Sequence, residues 1–107
     1  MKAYLGVYTA RLEMPWVDSL KQKRAIVKPA IERLKSRFPV SAARIAGLDD
    51  HGWEVVGISV ISNDGAWVEQ VLDEVASFLR QFEFEVSEEQ FQVDTHELDG
   101  VLPLWAK

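Results

Sequence analysis

The chain has 107 residues, of which 48% are hydrophobic and 27% are charged, and its formal net charge is −5. This length suits one hydrophobic core and excludes two ordinary ones, and the composition excludes an intrinsically disordered chain. With no cysteine, disulfides, thiolate metal sites and thiol nucleophiles are excluded. No apolar run approaches the ~20 residues of a membrane helix, and the N-terminus lacks a targeting pattern. We therefore expect a single cytoplasmic domain over residues 1–107.

The charges are distributed unevenly along the chain. Residues 1–44 contain ten Lys or Arg and three Asp or Glu, a balance of +7. Residues 45–107 contain two basic and 14 acidic residues, a balance of −12. A local basic surface attracts an anionic partner even on an acidic protein. We therefore expect any contact with a polyanion to involve the N-terminal half.

The first predicted element is a strand from Lys2 to Glu13. Its side chains alternate with a period of two, and β-branched and aromatic residues are frequent there, as is typical of strands. Pro15 follows, and proline cannot donate to a strand ladder. The strand is therefore expected to end before it.

A basic amphipathic helix is predicted next. Ser19 and Gln22 resemble a capping box, in which each side chain satisfies a backbone N–H at a helix start. Apolar residues at three- and four-residue spacing continue to Phe38, which gives about five turns. Pro29 lies opposite the apolar stripe, where a gentle bend is tolerated. We predict one kinked helix.

The rest of the chain is predicted to contain three more strands and a second helix. Residues 40–46 and 53–62 are strand-like, and the polar, glycine-bounded segment 47–52 predicts a hairpin between them. A cap at residues 63–64 begins a second amphipathic helix, and alternation in residues 84–98 predicts a last strand.

These elements predict an α+β fold of the ferredoxin-like βαββαβ type. Two strand–helix–strand units joined by a hairpin give a four-stranded antiparallel sheet with both helices on one face. The first and third strands are expected in the centre, and the other sheet face is left open. Tyr4, Tyr8, Trp16 and Trp53 either stack nucleic-acid bases on that face or belong to the core or to a dimer contact.

The first helix is the principal candidate for a binding site. Its cations are Lys21, Lys23, Arg24, Lys28, Arg33, Lys35 and Arg37. One row of them flanks the apolar stripe on one side and a looser row flanks it on the other. Such rows neutralise phosphates of a nucleic-acid backbone. Alternatively, the long side chains cover the core edge and pair with acids of the second half.

No pattern for catalysis is present. Asp49, Asp50 and His51 are adjacent in the hairpin turn, but adjacent loop residues rarely converge on a metal. His96 has no second histidine near it in sequence, and neither a nucleophile elbow nor a phosphate-binding glycine loop occurs. We therefore expect no enzymatic activity, no catalytic residue, no metal and no cofactor.

An apolar tail at residues 99–107 ends the chain. Its apolar residues are Val101, Leu102, Leu104 and Trp105. A free tail of this composition would expose a large apolar patch, so we expect it to dock on its own domain or across a homodimer, and we favour the homodimer.

Several strings of the chain resemble a known family. They are Ser19 to Arg24, Lys28, Arg33-Leu34, Arg37-Phe38, Val40-Ser41 and Ser62 to Asp64. Together they are similar to the YlxP-like family of small bacterial proteins of unknown function, from the first strand through the second helix. The segment 47–52 and the longer tail depart from the family pattern.

The resemblance implies a ferredoxin-like fold and no established catalytic residue. In many bacteria, genes of this family lie among those for transcription elongation, translation initiation and ribosome maturation factors. The basic string of the family falls on Lys21, Lys23, Arg24 and Lys28 of this sequence. The basic N-terminal half and this gene context favour a non-enzymatic protein that binds RNA or a ribonucleoprotein through the first helix and its preceding loop. The alternative, which the apolar tail and the open sheet face favour, is a small-ligand-sensing or oligomerisation module that uses that face.

Overall fold

The computed structural model describes residues 1–98. In chain order the elements are β1 Lys2–Glu13, α1 Leu20–Arg37, β2 Ser41–Ala46, β3 Trp53–Ser62, α2 Gly65–Leu79 and β4 Glu85–Glu97. The strands form one antiparallel sheet in the order β2-β3-β1-β4. The ferredoxin-like prediction is confirmed, with the first and third strands in the centre. The predicted tail lies outside the described residues.

The hydrophobic core lies between one face of the sheet and the two helices. Alternate residues of the central strands face this core, whereas their neighbours face the open side. The buried set includes Tyr8, Ala10, Leu12, Val27, Ala30, Leu34, Val56, Ile58, Val68, Leu72 and Val75. Burial of each large side chain of this kind contributes ~1.5–3 kcal/mol. Because the period-two and period-3.6 patterns place these side chains on one face of each element, packing those faces together gives the two-layer structure.

The two helix starts are capped by side chains. Ser19 Oγ accepts from the Gln22 backbone N–H at 3.1 Å, and Gln22 Oε1 accepts from the Asp18 backbone N–H at 2.8 Å. The capping pair is therefore present, although Gln22 returns to residue 18 instead of residue 19. Asp64 Oδ1 caps α2 by accepting from the Trp67 backbone N–H at 3.1 Å. Each cap of this type contributes about 1 kcal/mol.

An irregularity in β4 orients a carboxylate toward the core. The register of β4 against β1 shifts after residue 9, and Glu88 has a φ of 49°. Glu89 then accepts from the Tyr8 hydroxyl at 2.6 Å and from the Arg80 guanidinium. Burial raises the pKa of Tyr8, and the bond to Glu89 raises it further. Burial also acts to raise the pKa of Glu89, but its hydrogen bonds to Tyr8 and Arg80 outweigh burial and lower it.

Candidate nucleic-acid interface

Most of the predicted cations of α1 are exposed. The exposed ones are Lys21, Arg24, Lys28, Arg33, Lys35 and Arg37. Of the ion pairs formed within residues 1–98, none includes these six side chains. The acids of the second half therefore do not neutralise them by direct pairing in the part of the chain that the structure describes.

Four of these cations share one flank of α1, and we call them the basic row: Lys21, Arg24, Lys28 and Lys35. At ~100° per residue they fall within an arc of ~60°, and at ~1.5 Å rise they extend over ~21 Å of the helix axis. Glu32 lies on the same flank and is also exposed. This flank of α1 therefore carries the four positive charges of the basic row and one negative charge.

The opposite flank of α1 is tied to aromatic side chains. The Arg33 guanidinium lies 6.0 Å from the Phe82 ring centroid. The Arg37 guanidinium lies 5.8 Å from the Phe38 ring and 5.6 Å from the Phe78 ring. Contacts of this type hold a cation at the edge of an apolar cluster while its donors stay in solvent. These two arginines thus also have a packing role.

Lys23 is not part of the exposed surface, which corrects its place in the predicted set. Its side chain is 0% exposed, and its Nζ lies 3.1 Å from Glu54 Oε1. Nζ also donates to the carbonyl oxygens of Gly47 at 2.7 Å, of Trp53 at 3.2 Å, and of Asp50. The ammonium is therefore fully engaged inside the protein and is inaccessible to an external phosphate.

The carboxylate that holds Lys23 also binds an arginine. Glu54 is 0% exposed, and it accepts from Arg44 Nε and Nη2, each at 2.6 Å. This bidentate geometry is the strong form of the Arg–carboxylate pair, and it keeps the pKa of Arg44 above its usual value. We call Lys23, Arg44 and Glu54 the buried triad. It joins α1, β2 and β3.

The sequence carries a signal for the buried triad. Glu54 has the strand parity of Val56 and Ile58, which face the core, and Lys23 falls on the buried stripe of α1 with Val27. A charged residue at a core-facing position is almost never buried unless it is paired. Two such residues of opposite charge therefore indicate a buried ion pair.

A hydrogen-bonded turn before α1 carries an exposed tryptophan. Met14 donates its backbone N–H to the Gly52 carbonyl at 2.8 Å, and the Val17 N–H donates to the Met14 carbonyl at 3.0 Å. Met14 and Val17 are buried, whereas Trp16 between them is 50% exposed. Trp16 is five positions before Lys21, and a chain of that length spans at most ~18 Å. Trp16 therefore lies within ~18 Å of the start of the basic row.

The other aromatic candidates are placed differently. Tyr8 is buried and Tyr4 packs against the core, so both face the helices and not the open sheet face. Trp53 shares the open-face parity of β3, and the Arg11 guanidinium lies 4.3 Å from its ring centroid. Of the four, only Trp16 combines an exposed ring with a position beside α1.

The hairpin turn shows no metal site. Within residues 1–98, no group of three or more His, Cys, Asp or Glu side chains converges in a way that holds an ion. The Asp50 carbonyl is instead an acceptor for Lys23.

None of the helices described is long and apolar enough to cross a bilayer.

Comparison with known proteins decides the family. A family model described as "Protein of unknown function (DUF503)" matches residues 5–92. The chain belongs to the DUF503 family. A relative from Bacillus subtilis (strain 168), described as "Uncharacterized protein YlxP", is 33% identical to this DUF503 chain over 64 residues, which is 60% of this chain and 70% of the relative. The resemblance to the YlxP-like family is thereby confirmed.

Designed proteins are among the solved structures that are similar to this DUF503 chain. One, a de novo design with a ferredoxin fold solved by NMR, has a TM-score of 0.50 and 13% identity and covers 94% of this chain and 92% of its own. The design Foldit4 has a TM-score of 0.43 and 13% identity over 91% of this chain and 98% of its own. The first supports the fold.

Proposed function

We propose that this chain is a non-enzymatic protein that binds RNA, alone or within a ribonucleoprotein, through the basic row and the Trp16 turn. One observation carries the proposal: the four cations of the basic row are exposed, and none of them forms an ion pair within residues 1–98. The translation and ribosome maturation context implied by the YlxP-like resemblance agrees with an RNA target.

The dimensions of the basic row suit a nucleic-acid strand. A row of ~21 Å is long enough for its four cations to contact several successive phosphates of one strand. The acids of α2 and β4, such as Glu69 and Glu85, lie on other elements and repel the same backbone. This uneven distribution of charge would orient the protein with α1 toward the RNA.

Removing three cations of the row tests the electrostatic part of the proposal. The triple substitution Lys21→Ala, Arg24→Ala and Lys28→Ala is expected to weaken binding of an RNA hairpin. It should also reduce the magnitude of the slope of log K against log salt by ~2–3, because each lost phosphate contact removes about one unit. Fluorescence anisotropy titrations at several salt concentrations measure both quantities.

A charge-matched variant separates a local contact from the effect of net charge. Ala66→Glu, Gln70→Glu and Ser77→Glu lower the net charge by the same three units at exposed positions of α2. We expect this variant to keep the wild-type salt slope. The proposal fails if wild-type protein has no affinity for RNA at low salt, or if the alanine variant binds as the wild type does.

Trp16 is expected to contact an unpaired base. Base–aromatic stacking contributes ~1–3 kcal/mol per base, so Trp16→Leu should weaken binding of a single-stranded loop by ~5- to 150-fold. Binding of a fully paired duplex should stay the same, because its bases are not available for stacking. Trp67→Leu, at an exposed tryptophan of α2, is the control. Equal losses for loop and duplex would contradict this role.

A further inference from the structure

The open face of the sheet carries an apolar strip over three of its strands. The strip comprises Leu5 and Val7 of β1, Ala43 and Ile45 of β2, and Val55, Gly57 and Ile61 of β3. Ile61 is 65% exposed and Ile45 is 57% exposed. The fourth strand presents polar side chains on this face, including Gln90, Gln92 and Asp94. Contiguous exposed apolar surface of this kind marks an interaction site.

The strip contains both a depression and a projection on the same strand. Around Gly57 lies a shallow hollow of about 260 Å³, lined by Val7, Thr9, Ala43 and Ile45 among others. Glycine maintains the hollow because a Cβ there would lie 3.2 Å from Ile45 Cγ1. Four residues further along β3, Ile61 projects from the same face, ~13 Å away at ~3.3 Å per residue.

This arrangement is complementary to itself. Consider two copies whose open faces are stacked, with a two-fold axis between the sheets that runs perpendicular to the strands at the level of Ser59. This axis places residue 57 of one β3 over residue 61 of the other. Each Ile61 then lies over the Gly57 hollow of the other copy. The strip has no charged side chain at its centre, so bringing two identical strips together opposes no like charges. We propose that two copies of this chain pair through their open sheet faces.

The size of the face fits a dimer better than a small ligand. Four strands at ~4.8 Å spacing and ten residues at ~3.3 Å rise give a footprint of ~600 Å², close to the ~800 Å² per partner of a standard interface. The hollow, at about 260 Å³, is smaller than the ~300 Å³ at which ligand pockets begin. A second copy would therefore cover more of the open sheet face than a small ligand in the hollow would.

The pairing leaves the helical layers outside. Both helices cover the face of the sheet that carries Tyr8 and Leu12, so the dimer is a four-layer α/β/β/α structure. The basic row of each copy faces solvent in it. The dimer and the RNA proposal are independent, and the failure of either leaves the other in place.

Ile61→Glu tests the interface, because it places a charge at each hollow. Sedimentation equilibrium on the full chain is expected to give twice the monomer mass for the wild type and the monomer mass for Ile61→Glu. The far-UV circular dichroism should be unchanged, since the residue is exposed. Trp67→Glu makes the same apolar-to-acid change on the helical side and should remain dimeric.

The result that overturns the proposal is a monomeric wild type, or an Ile61→Glu variant that stays dimeric. Truncation after Leu98 identifies one competing occupant. If the wild type is a monomer and the truncated chain is a dimer, residues 99–107 cover the face instead of a second copy. If the truncated chain and the wild type are both dimers, the strands carry the contact as proposed.

Discussion

Lys23→Met is expected to lower the free energy of unfolding by ~3–5 kcal/mol, because it removes one partner of a buried ion pair. Glu54 would keep only Arg44, and the carbonyls of Gly47, Asp50 and Trp53 would lose their shared donor. Urea denaturation followed by circular dichroism measures the loss.

Lys28→Met is the matched control for this prediction. It makes the same substitution in the same helix, but at an exposed position, where changes usually stay within ~0.5 kcal/mol. Equal stabilities of the two variants would show that the buried triad does not hold α1 to the hairpin.

A double variant separates the pair from the packing around it. Adding Glu54→Leu to Lys23→Met removes the buried carboxylate that the single variant leaves with Arg44 alone. Arg44, whose side chain is 25% exposed, can then turn its guanidinium to solvent. Buried pairs replaced by apolar residues of similar volume are often as stable as the original. We expect the double variant to be more stable than Lys23→Met alone.

Lys23→Met should also keep the wild-type RNA salt slope, since the ammonium does not reach solvent.

The fold could be predicted because its determinants are local and periodic. The alternation in β1 and the three- and four-residue spacing in α1 each follow from which side chains face one core. The hairpin required only the glycines that bound residues 47–52. One detail differed: Gln22 bonds the N–H of Asp18, because the partner of a side-chain amide depends on the loop conformation and not on spacing alone.

The candidate site could be predicted only in part, because exposure depends on contacts between distant residues. Counting basic residues in α1 treats Lys23 and Lys28 alike, although one meets Glu54, which is 31 positions away in the chain. The arginines at 33 and 37 reach rings of α2 and the segment after it. Likewise, the projection of Trp16 required the bond from Met14 to Gly52. A helical wheel contains none of these long-range partners.

Gly47→Ala is expected to lower the free energy of unfolding by ~2–5 kcal/mol, from two separate causes. Gly47 has a φ of 77°, a left-handed conformation that costs an L residue ~1–2 kcal/mol. A Cβ there would also lie 2.7 Å from Cε3 and Cζ3 of Trp53. Because Arg11 packs over that ring, moving it adds ~1–3 kcal/mol of overpacking.

Gly52→Ala is the control, since it makes the same change at the other end of the same connection. Its φ is not in the left-handed region, and the nearest atom to a Cβ there is Pro15 Cα at 3.9 Å, an ordinary contact. We expect this variant to be as stable as the wild type or up to ~1 kcal/mol more stable. Thermal and urea unfolding of both variants measure the difference. Similar losses in the two would mean that any added side chain disturbs this hairpin. A loss confined to Gly47→Ala would instead show that the left-handed backbone of Gly47 and its close approach to the Trp53 ring stabilise the hairpin.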